Sequence, residues 1–345
     1  MCVKDTGTKY QLWISDFNID GTFTRVHPFI ISHTKTMTRT REDGKEEVFS
    51  ACIKSDDARY LGGNKNSSVN AIKLQGRPRT GINYDKANEF CANRGDWITM
   101  IDYLEYCALQ ALCYIEYANF DNQAALNTNL TSDGFKQGGL DAGVTNLNWE
   151  RWTAFNDNNP IVQTYWSAEH NIGNGSTNGD HYELENYNAD GSNLSTYPAI
   201  YRGILNFFGD IWTFIRDVVI INKDKDYNYV YILKKGVNHA DVTKDNVNEK
   251  CYLIGCQANT DNFITEFDFQ RGVYFIPNKV GSNKKADYNW KRGNDGQDTD
   301  KAACVLLLGG GANPDSGAGS GGFHSRWVRS DFFPSVGFFT TVKLD

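Results

Sequence analysis

The stretch YRGILNFFGDIWTFIRD, residues 201–217, carries the strongest indication of the fold. It is apolar and aromatic, and Gly203 and Gly209 are expected where the backbone turns tightly. Phe208 and Trp212 are expected to be buried, which contributes about 1.5–3 kcal/mol for a large side chain. Arg202 is expected to pair with a carboxylate or a loop carbonyl. The stretch is therefore interpreted as mainly structural, with ligand contact as the alternative.

Short apolar runs on both sides of this stretch are joined by long polar loops. Alternating polar and apolar residues at 10–15 and 26–32 predict N-terminal strands, with a turn at 18–21. Short strands joined by long loops predict a twisted sheet whose loops carry the function. The later runs cover residues 227–233, 273–277, 305–308 and 336–344, and the loops rich in Asn, Gly and Asp cover 119–145, 171–195 and 279–301.

Two helices are predicted early in the chain. The first has Asn83 as its N-cap and ends near Gly95. The second begins near Thr99 or Ile101. Together with the strands they predict one continuous α+β domain, in which residues 1–70 lead into a body at 71–345. Residues with a spacing of three and four predict the buried stripe of the second helix: Leu104, Ala108, Leu109, Leu112, Cys113 and Ile115.

Composition and charge exclude several classes of protein. The chain has 345 residues, of which 40% are hydrophobic and 13% aromatic, so a sizeable core is expected. A net charge of −7 without clustered Lys or Arg argues against a nucleic-acid partner. No run of 18 apolar residues suggests membrane insertion, and the start MCVKD lacks the apolar core of a signal peptide. We therefore expect synthesis in a cytoplasm.

The cysteine pattern predicts reduced thiols that fill the core. The eight cysteines form no C-x-x-C pair, and no His pair lies near them at ligand spacing, so no zinc site is expected. A bridge between Cys251 and Cys256 across a turn is the alternative. The cysteines are at positions 2, 52, 91, 107, 113, 251, 256 and 304.

Five segments, in order, resemble the phage-encoded C-type-lectin-like proteins. Residues 201–212 resemble the family's "YRGIEN-FG-IW" stretch, although Leu205 stands in place of the Glu. The closing strand departs from the family's Gly-Phe-Arg or Gly-Ala-Arg ending and reads Gly337-Phe338-Phe339. The other segments are VHPFI at 26–30, RGDWITMIDYLEYCALQAL at 94–112, FIP at 275–277 followed by Asp287 and Tyr288, and LGGGA at 308–312 through SVGF at 335–338.

The resemblance implies a fold and a class of function. The fold would be α+β and C-type-lectin-like, as in formylglycine-generating enzymes, with two early helices, a twisted, mostly antiparallel sheet and long loops. The protein would be a non-enzymatic virion protein without a cofactor, acting in host attachment as a receptor-binding protein, adhesin, tail-fibre or decoration subunit. Its partners would be a bacterial surface glycan or protein and other virion proteins, in a homo-oligomer such as a trimer.

In relatives diversified by retroelements, the C-terminal region is the variable, ligand-facing one. The glycine-rich residues 309–322 are not a phosphate loop, because no Lys and no helix follow the last glycine. The next residues mix rings, guanidinium groups and small polar groups, which is typical of binding surfaces. The predicted ligand-binding residues are Asn313, Asp315, Phe323, His324, Arg326, Trp327, Arg329 and Asp331, with Asn289 and Trp290 on the preceding loop.

Several alternatives remain open at this point. Phe323 and Trp327 could be core residues of a terminal strand. The protein could also be a purely structural virion subunit, or an oxidase of the formylglycine-generating type that uses two of Cys251, Cys256 and Cys304. Weaker candidates are a glycosidase pair among Glu183, Glu185, Asp190 and Asp210, a calcium site at Asp295, Asp298 and Asp300, and catalytic roles for His27, His170 and His181.

Overall fold

The computed structural model describes part of the chain, mainly its second half and the two early helices. Within the described residues the protein is mixed α+β, mostly sheet with few helices. None of the described helices is long and apolar enough to cross a membrane. The described residues are 2–5, 10–13, 15, 26–27, 29–31, 37–40, 46–49, 82–93, 96–122, 184–187, 193–196, 200–202, 204–205, 207–208, 212–224, 227–270, 273–282, 287–291, 303–310, 319–332 and 336–343.

The first predicted helix is confirmed as α1 (Tyr84–Ala92). The Asn83 side chain accepts a hydrogen bond from the Lys86 amide at 2.8 Å, so it is the N-cap that the sequence predicts. The helix ends at Ala92, a little before the predicted end.

The second helix, α2 (Tyr103–Tyr117), begins two to four residues later than predicted. Asp102 caps it in a reciprocal arrangement: Asp102 Oδ1 accepts from the Glu105 amide, and Glu105 Oε2 accepts from the Asp102 amide, both at 2.9 Å. Residues 98–100 form a strand instead, because their backbone pairs with the C-terminal strand.

The predicted buried stripe of α2 is only partly correct. Ala108, Leu109 and Cys113 are buried, but Leu112 and Ile115 are 40% and 43% exposed. Tyrosines take much of the buried face, because each ring buries a large area and a buried hydroxyl usually finds a partner. The Tyr103 hydroxyl, for example, donates to the Phe275 carbonyl at 2.6 Å. The other buried aromatic residues of this face are Tyr106 and Tyr114.

Most of the described chain is β-structure in short strands. Strands are found at the predicted runs 227–233, 273–277, 305–308 and 336–344. The strands are β1 (Cys2–Asp5), β2 (Tyr10–Trp13), β3 (Phe29–Ile31), β4 (Met37–Thr40), β5 (Glu46–Phe49), β6 (Ile98–Met100), β7 (Leu184–Tyr187), β8 (Asn193–Thr196), β9 (Ile200–Tyr201), β10 (Ile204–Leu205), β11 (Trp212–Asp224), β12 (Tyr227–Leu233), β13 (Cys251–Gln257), β14 (Asn262–Gln270), β15 (Tyr274–Gly281), β16 (Tyr288–Trp290), β17 (Cys304–Leu308), β18 (Phe323–His324), β19 (Val336–Gly337) and β20 (Thr340–Lys343).

Within the described residues, the central sheet has nine strands and curls into a half-barrel. Its order is β13-β12-β11-β17-β18-β16-β14-β15, and β19 also pairs with β11. The pairs are antiparallel except β11 with β19 and β16 with β18. The two ends of the sheet approach each other, since the Ala258 amide after β13 donates to the Pro277 carbonyl of β15 at 2.7 Å.

The 201–217 stretch has the structural role predicted for it. Phe208 and Trp212 are buried. Arg202 pairs with the Glu116 carboxylate of α2, with its Nε donating to Oε2 at 2.9 Å. Gly203 and Gly209 lie outside the described residues. The second half of the stretch enters β11, whose apolar side chains are buried on both faces of the sheet.

A small second sheet connects sequence-distant parts of the chain. Its middle strand is β20, which pairs antiparallel with β3 on one side and β6 on the other. Residues 29–31 and 98–100 are therefore joined through the C-terminal strand. This pairing explains why residues 98–100 adopt an extended conformation directly before α2.

The six cysteines whose side chains are described form no disulfide bond, in agreement with the prediction of reduced thiols. Five are buried and Cys256 is half-buried, and no bridge joins Cys251 to Cys256. Burial raises the pKa of the Cys251 thiol to about 11 and that of Cys107 further, so these thiols stay protonated at neutral pH. Cys52 and the side chain of Cys2 lie outside the described residues.

Candidate ligand-binding surface

Two candidate segments far apart in sequence meet in the central sheet. Strands β16 and β18 run parallel, with Asn289 opposite Phe323 and Trp290 opposite His324. Strand β17 flanks β18 on its other side, with Leu307 opposite His324. The sheet thus places residues 289–290 directly beside residues 323–324.

Three of the predicted ligand-binding side chains are buried inside the sheet. Asn289, Phe323 and His324 are all under 7% exposed. Asn289 Nδ2 donates to the carbonyls of Ala258 and Thr260, at 3.1 and 2.9 Å. Phe323 is a core residue, which was the alternative interpretation in the sequence analysis. These three side chains therefore lie in the interior, beneath the exposed residues of the segment.

A chain of buried amide and hydroxyl groups holds the two segments together. Gln257 Nε2 donates to Asn289 Oδ1 at 2.6 Å, and Ser325 Oγ donates to Gln257 Oε1 at 2.6 Å. Asn228 Nδ2 donates to the same Gln257 oxygen at 3.1 Å, and Asn222 Nδ2 donates to Asn228 Oδ1 at 3.0 Å. Buried networks whose members are hydrogen-bonded to one another are rigid. Sequence reasoning missed this network because its members belong to five different strands and loops.

Aromatic rings pack beside this network. His324 lies 4.5 Å from the Trp327 ring and 5.2 Å from the Trp212 ring, measured between centroids. Trp290 lies 4.9 Å from Trp212 and 4.5 Å from Tyr288. Burial lowers the pKa of His324 to about 3, so it is a neutral ring at physiological pH. Trp290 and Trp327 are half-buried and present part of their indoles to the surface.

The exposed part of the segment carries guanidinium groups and one aromatic ring. Arg326 Nε donates to the Lys291 carbonyl at 2.9 Å, and its guanidinium pairs with Asp261. Arg329 Nη1 lies 3.1 Å from Asp85 Oδ1 of α1. Phe332, which the sequence did not single out, is 67% exposed.

Asp331 is a turn residue in this structure. Its Oδ2 accepts from the Val328 amide at 2.9 Å, and its own amide donates to the Val328 carbonyl at 3.0 Å. A carboxylate in this position stabilises the turn at residues 328–331. Arg329 lies within this turn, and Phe332 directly follows it.

A buried carboxylate anchors the end of the glycine-rich stretch. Asp287 Oδ1 accepts from the Gly321 amide at 2.8 Å, and Asp287 Oδ2 accepts from the Tyr114 hydroxyl at 3.0 Å. A Cβ at Gly321 would lie 2.6 Å from Phe267 Cζ, so any other residue here would force neighbouring side chains to shift. Burial raises the pKa of Asp287 to about 7. The described end of this stretch thus packs against protein.

Other candidates lie outside the described residues or apart from one another. Cys251 and Cys256 are five residues apart on β13, roughly 16 Å along a strand, and Cys304 lies three strands away, roughly 14 Å. Within the described part of the chain, no three His, Cys, Asp or Glu residues are grouped to hold a metal ion. Outside it lie Asn313, Asp315, Glu183, Asp190, Asp210, His170, His181, Asp295, Asp298, Asp300 and the side chain of Glu185.

A scan of the sequence against models of known protein families found no match, and a search of curated proteins also found none.

Proposed function

We propose that this chain is a recognition protein of a phage particle, with a C-type-lectin-like fold. The proposed recognition surface consists of Trp290, Lys291, Arg326, Trp327, Arg329 and Phe332. It would bind a bacterial surface glycan or protein without catalysis. The observation that carries the proposal is the exposure of aromatic and guanidinium groups on a rigid base.

The proposed fold agrees with the order of the elements. Two helices precede a mostly antiparallel sheet, and long connections separate the later strands. The C-terminal strand β20 lies between β3 and β6. The motif resemblance at residues 26–30, 94–112 and 201–212 falls on segments that contain β3, α2 and the entry to β11.

The chemistry of the surface favours binding of another molecule. Trp and Arg are enriched among the residues that dominate interface energies, because they combine large contact area with directional hydrogen bonds. The buried network beneath them is already ordered, so little conformational entropy would be lost on binding. Half-buried indoles also offer flat apolar faces on which sugar rings can stack.

The proposal is tested by competition for host cells. The purified wild-type chain should reduce adsorption of the phage to its host, and the double variant Arg326→Ala/Trp327→Ala should not. Lys279→Ala on β15 is the control, since its exposed side chain pairs with Glu266 away from the surface. If the double variant remained folded and competed as well as Lys279→Ala, the recognition surface would not be the binding site.

A purely structural virion protein is the second candidate. Phe332 favours it, because an exposed apolar ring next to half-buried indoles is also typical of subunit interfaces. In that case Phe332→Ser should weaken assembly of the chain, measured by sedimentation, and the wild-type chain should not compete with the phage for host cells.

A further inference from the structure

A short turn between β13 and β14, residues 258–261, lies beside the recognition surface. The buried Asn289 side chain donates to two of its carbonyls, as described above. Lys291 Nζ donates to a third, that of Asn259, at 3.1 Å, and also contacts the Asn259 side-chain oxygen. Three successive carbonyls of the turn are therefore bound by β16 and the residue after it, which fixes the turn relative to the surface.

Asp261, the last residue of this turn, connects the other two segments of the surface. Its Oδ1 accepts from the Lys291 amide at 2.7 Å, and its Oδ2 pairs with Arg326 Nη2. Arg326 Nε donates to the Lys291 carbonyl at 2.9 Å. The guanidinium is thus held at two points, by the Asp261 carboxylate and by the backbone to which that carboxylate is bonded.

Both contacts use the same edge of the planar guanidinium of Arg326. Nε and Nη2 face Lys291 and Asp261, so the Nη1 amino group lies away from that edge with two N–H donors. The Arg326 side chain is still 39% exposed. A ligand oxygen at the surface can therefore meet donors whose position is already set.

The ion pair between Asp261 and Arg326 is expected to contribute little to stability, because both side chains are about a third exposed and water screens their charges. Its effect is expected in the orientation of a long side chain. An arginine that is free must be ordered when a ligand binds, and this loss of entropy weakens affinity by about two- to tenfold. A guanidinium that is held in advance avoids most of that loss.

We propose that Asp261 is a positioning residue of the recognition surface, which holds Arg326 so that its Nη1 group donates to an oxygen acceptor of the bound ligand. The turn at residues 258–261 belongs to the same surface. This inference rests on the proposed function, since it assigns a role within that surface.

A double-mutant cycle in the host-cell competition assay tests the inference. Asp261→Asn keeps an oxygen for the Lys291 amide but loses the carboxylate at Arg326. It should raise the concentration needed for half-maximal competition about two- to tenfold. In a chain that already carries Arg326→Ala, adding Asp261→Asn should cause no further loss, because Asp261 acts through that side chain.

Glu266→Gln is the matched control for the loss of charge. Glu266 lies on β14 and pairs with Lys279 at 2.6 Å, with an exposure close to that of Asp261. This variant should compete like the wild type. Urea denaturation should give nearly the same free energy of unfolding for Asp261→Asn, Glu266→Gln and wild type, so that a difference in competition reports orientation and not folding.

Nuclear magnetic relaxation of Arg326 Nε, assigned with Arg326→Lys, measures the order of this side chain without any ligand. It should show a rigid side chain in the wild type and a mobile one in Asp261→Asn. Equal rigidity in both, unchanged competition by Asp261→Asn, or an additional loss in the double variant would each overturn the inference. If the wild type itself did not compete, the proposed function would fail and the binding role of Asp261 with it, whereas relaxation would still show whether Asp261 orders Arg326.

Discussion

At the scale of single residues, close packing around one glycine positions the start of the recognition segment. Gly321 lies against Phe267, Asp287 and Tyr114, and a Cβ there would approach all three within 2.7 Å. Its amide also donates to the buried Asp287 carboxylate. Phe323 and His324 follow after one more glycine, so the position of Gly321 helps to determine where β18 begins.

Gly321→Ala should destabilise the protein by about 1–3 kcal/mol, because the added methyl group overpacks a closed site. Gly281→Ala is the control, since its Cβ would meet only Thr265 Cγ2 at 3.2 Å. Urea denaturation of both variants gives the two free energies of unfolding. Equal losses in the two variants would contradict the close packing described for Gly321.

At the scale of elements, Asp102 joins α2 to the central sheet. It caps the helix through Oδ1, while Oδ2 faces Arg216 of β11. Residue 101 adds a backbone link, because the Arg216 amide donates to the Ile101 carbonyl at 3.0 Å. The start of α2 and the middle of β11 are therefore held in one arrangement.

Two substitutions separate the roles of Asp102. Asp102→Asn keeps an oxygen for the cap but loses the charge beside Arg216, whereas Asp102→Ala loses both. Loss of an N-cap costs about 1 kcal/mol, so Asp102→Ala should be less stable than Asp102→Asn by about that amount. Thermal and urea denaturation check this, and equal stability of the two variants would mean that the cap contributes nothing.

At the scale of the whole molecule, buried carboxyl groups and buried histidines change the stability in opposite directions as pH rises. The pKa values of Asp287 and Asp217 are raised in the folded state, to about 7 and about 6. Their contribution to stability is largest at low pH and is lost as pH rises from about 4 to 7. The lowered pKa values of His324 and His239 act in the opposite direction, since stability is gained as pH rises towards 6.5.

Asp287→Asn should therefore change the pH profile of stability. The amide can still accept from the Gly321 amide but does not titrate, so the variant gains stability relative to wild type as pH rises from about 4 to 7. Urea denaturation at several pH values measures this difference. His324→Phe should instead lose stability relative to wild type as pH rises. If the difference between Asp287→Asn and wild type stayed constant with pH, the Asp287 carboxyl would not titrate in this range.

Local sequence patterns were sufficient for the helices and many of the strands. Asn83 caps α1 by bonding to an amide three residues away, and the apolar run at 201–217 forms buried structure, both as predicted. Both features depend on residues that are close in sequence. Strand β14 was missed, although the alternating aromatic residues Phe263, Phe267 and Phe269 were a usable signal. Strand β16 was missed because three residues inside a polar loop carry too little periodicity.

The candidate site could not be resolved from sequence alone. The mixture of rings and guanidinium groups at 323–331 identified a segment, but not which side chains face outward. Phe323 and His324 are buried because β18 lies between β16 and β17, while Arg326 and Phe332 stay exposed beyond the strand. By itself the sequence determined the helices, the apolar strands and the reduced thiols. Only the tertiary structure decided which side chains are exposed and how the amide network forms, because both depend on contacts between residues far apart in the chain.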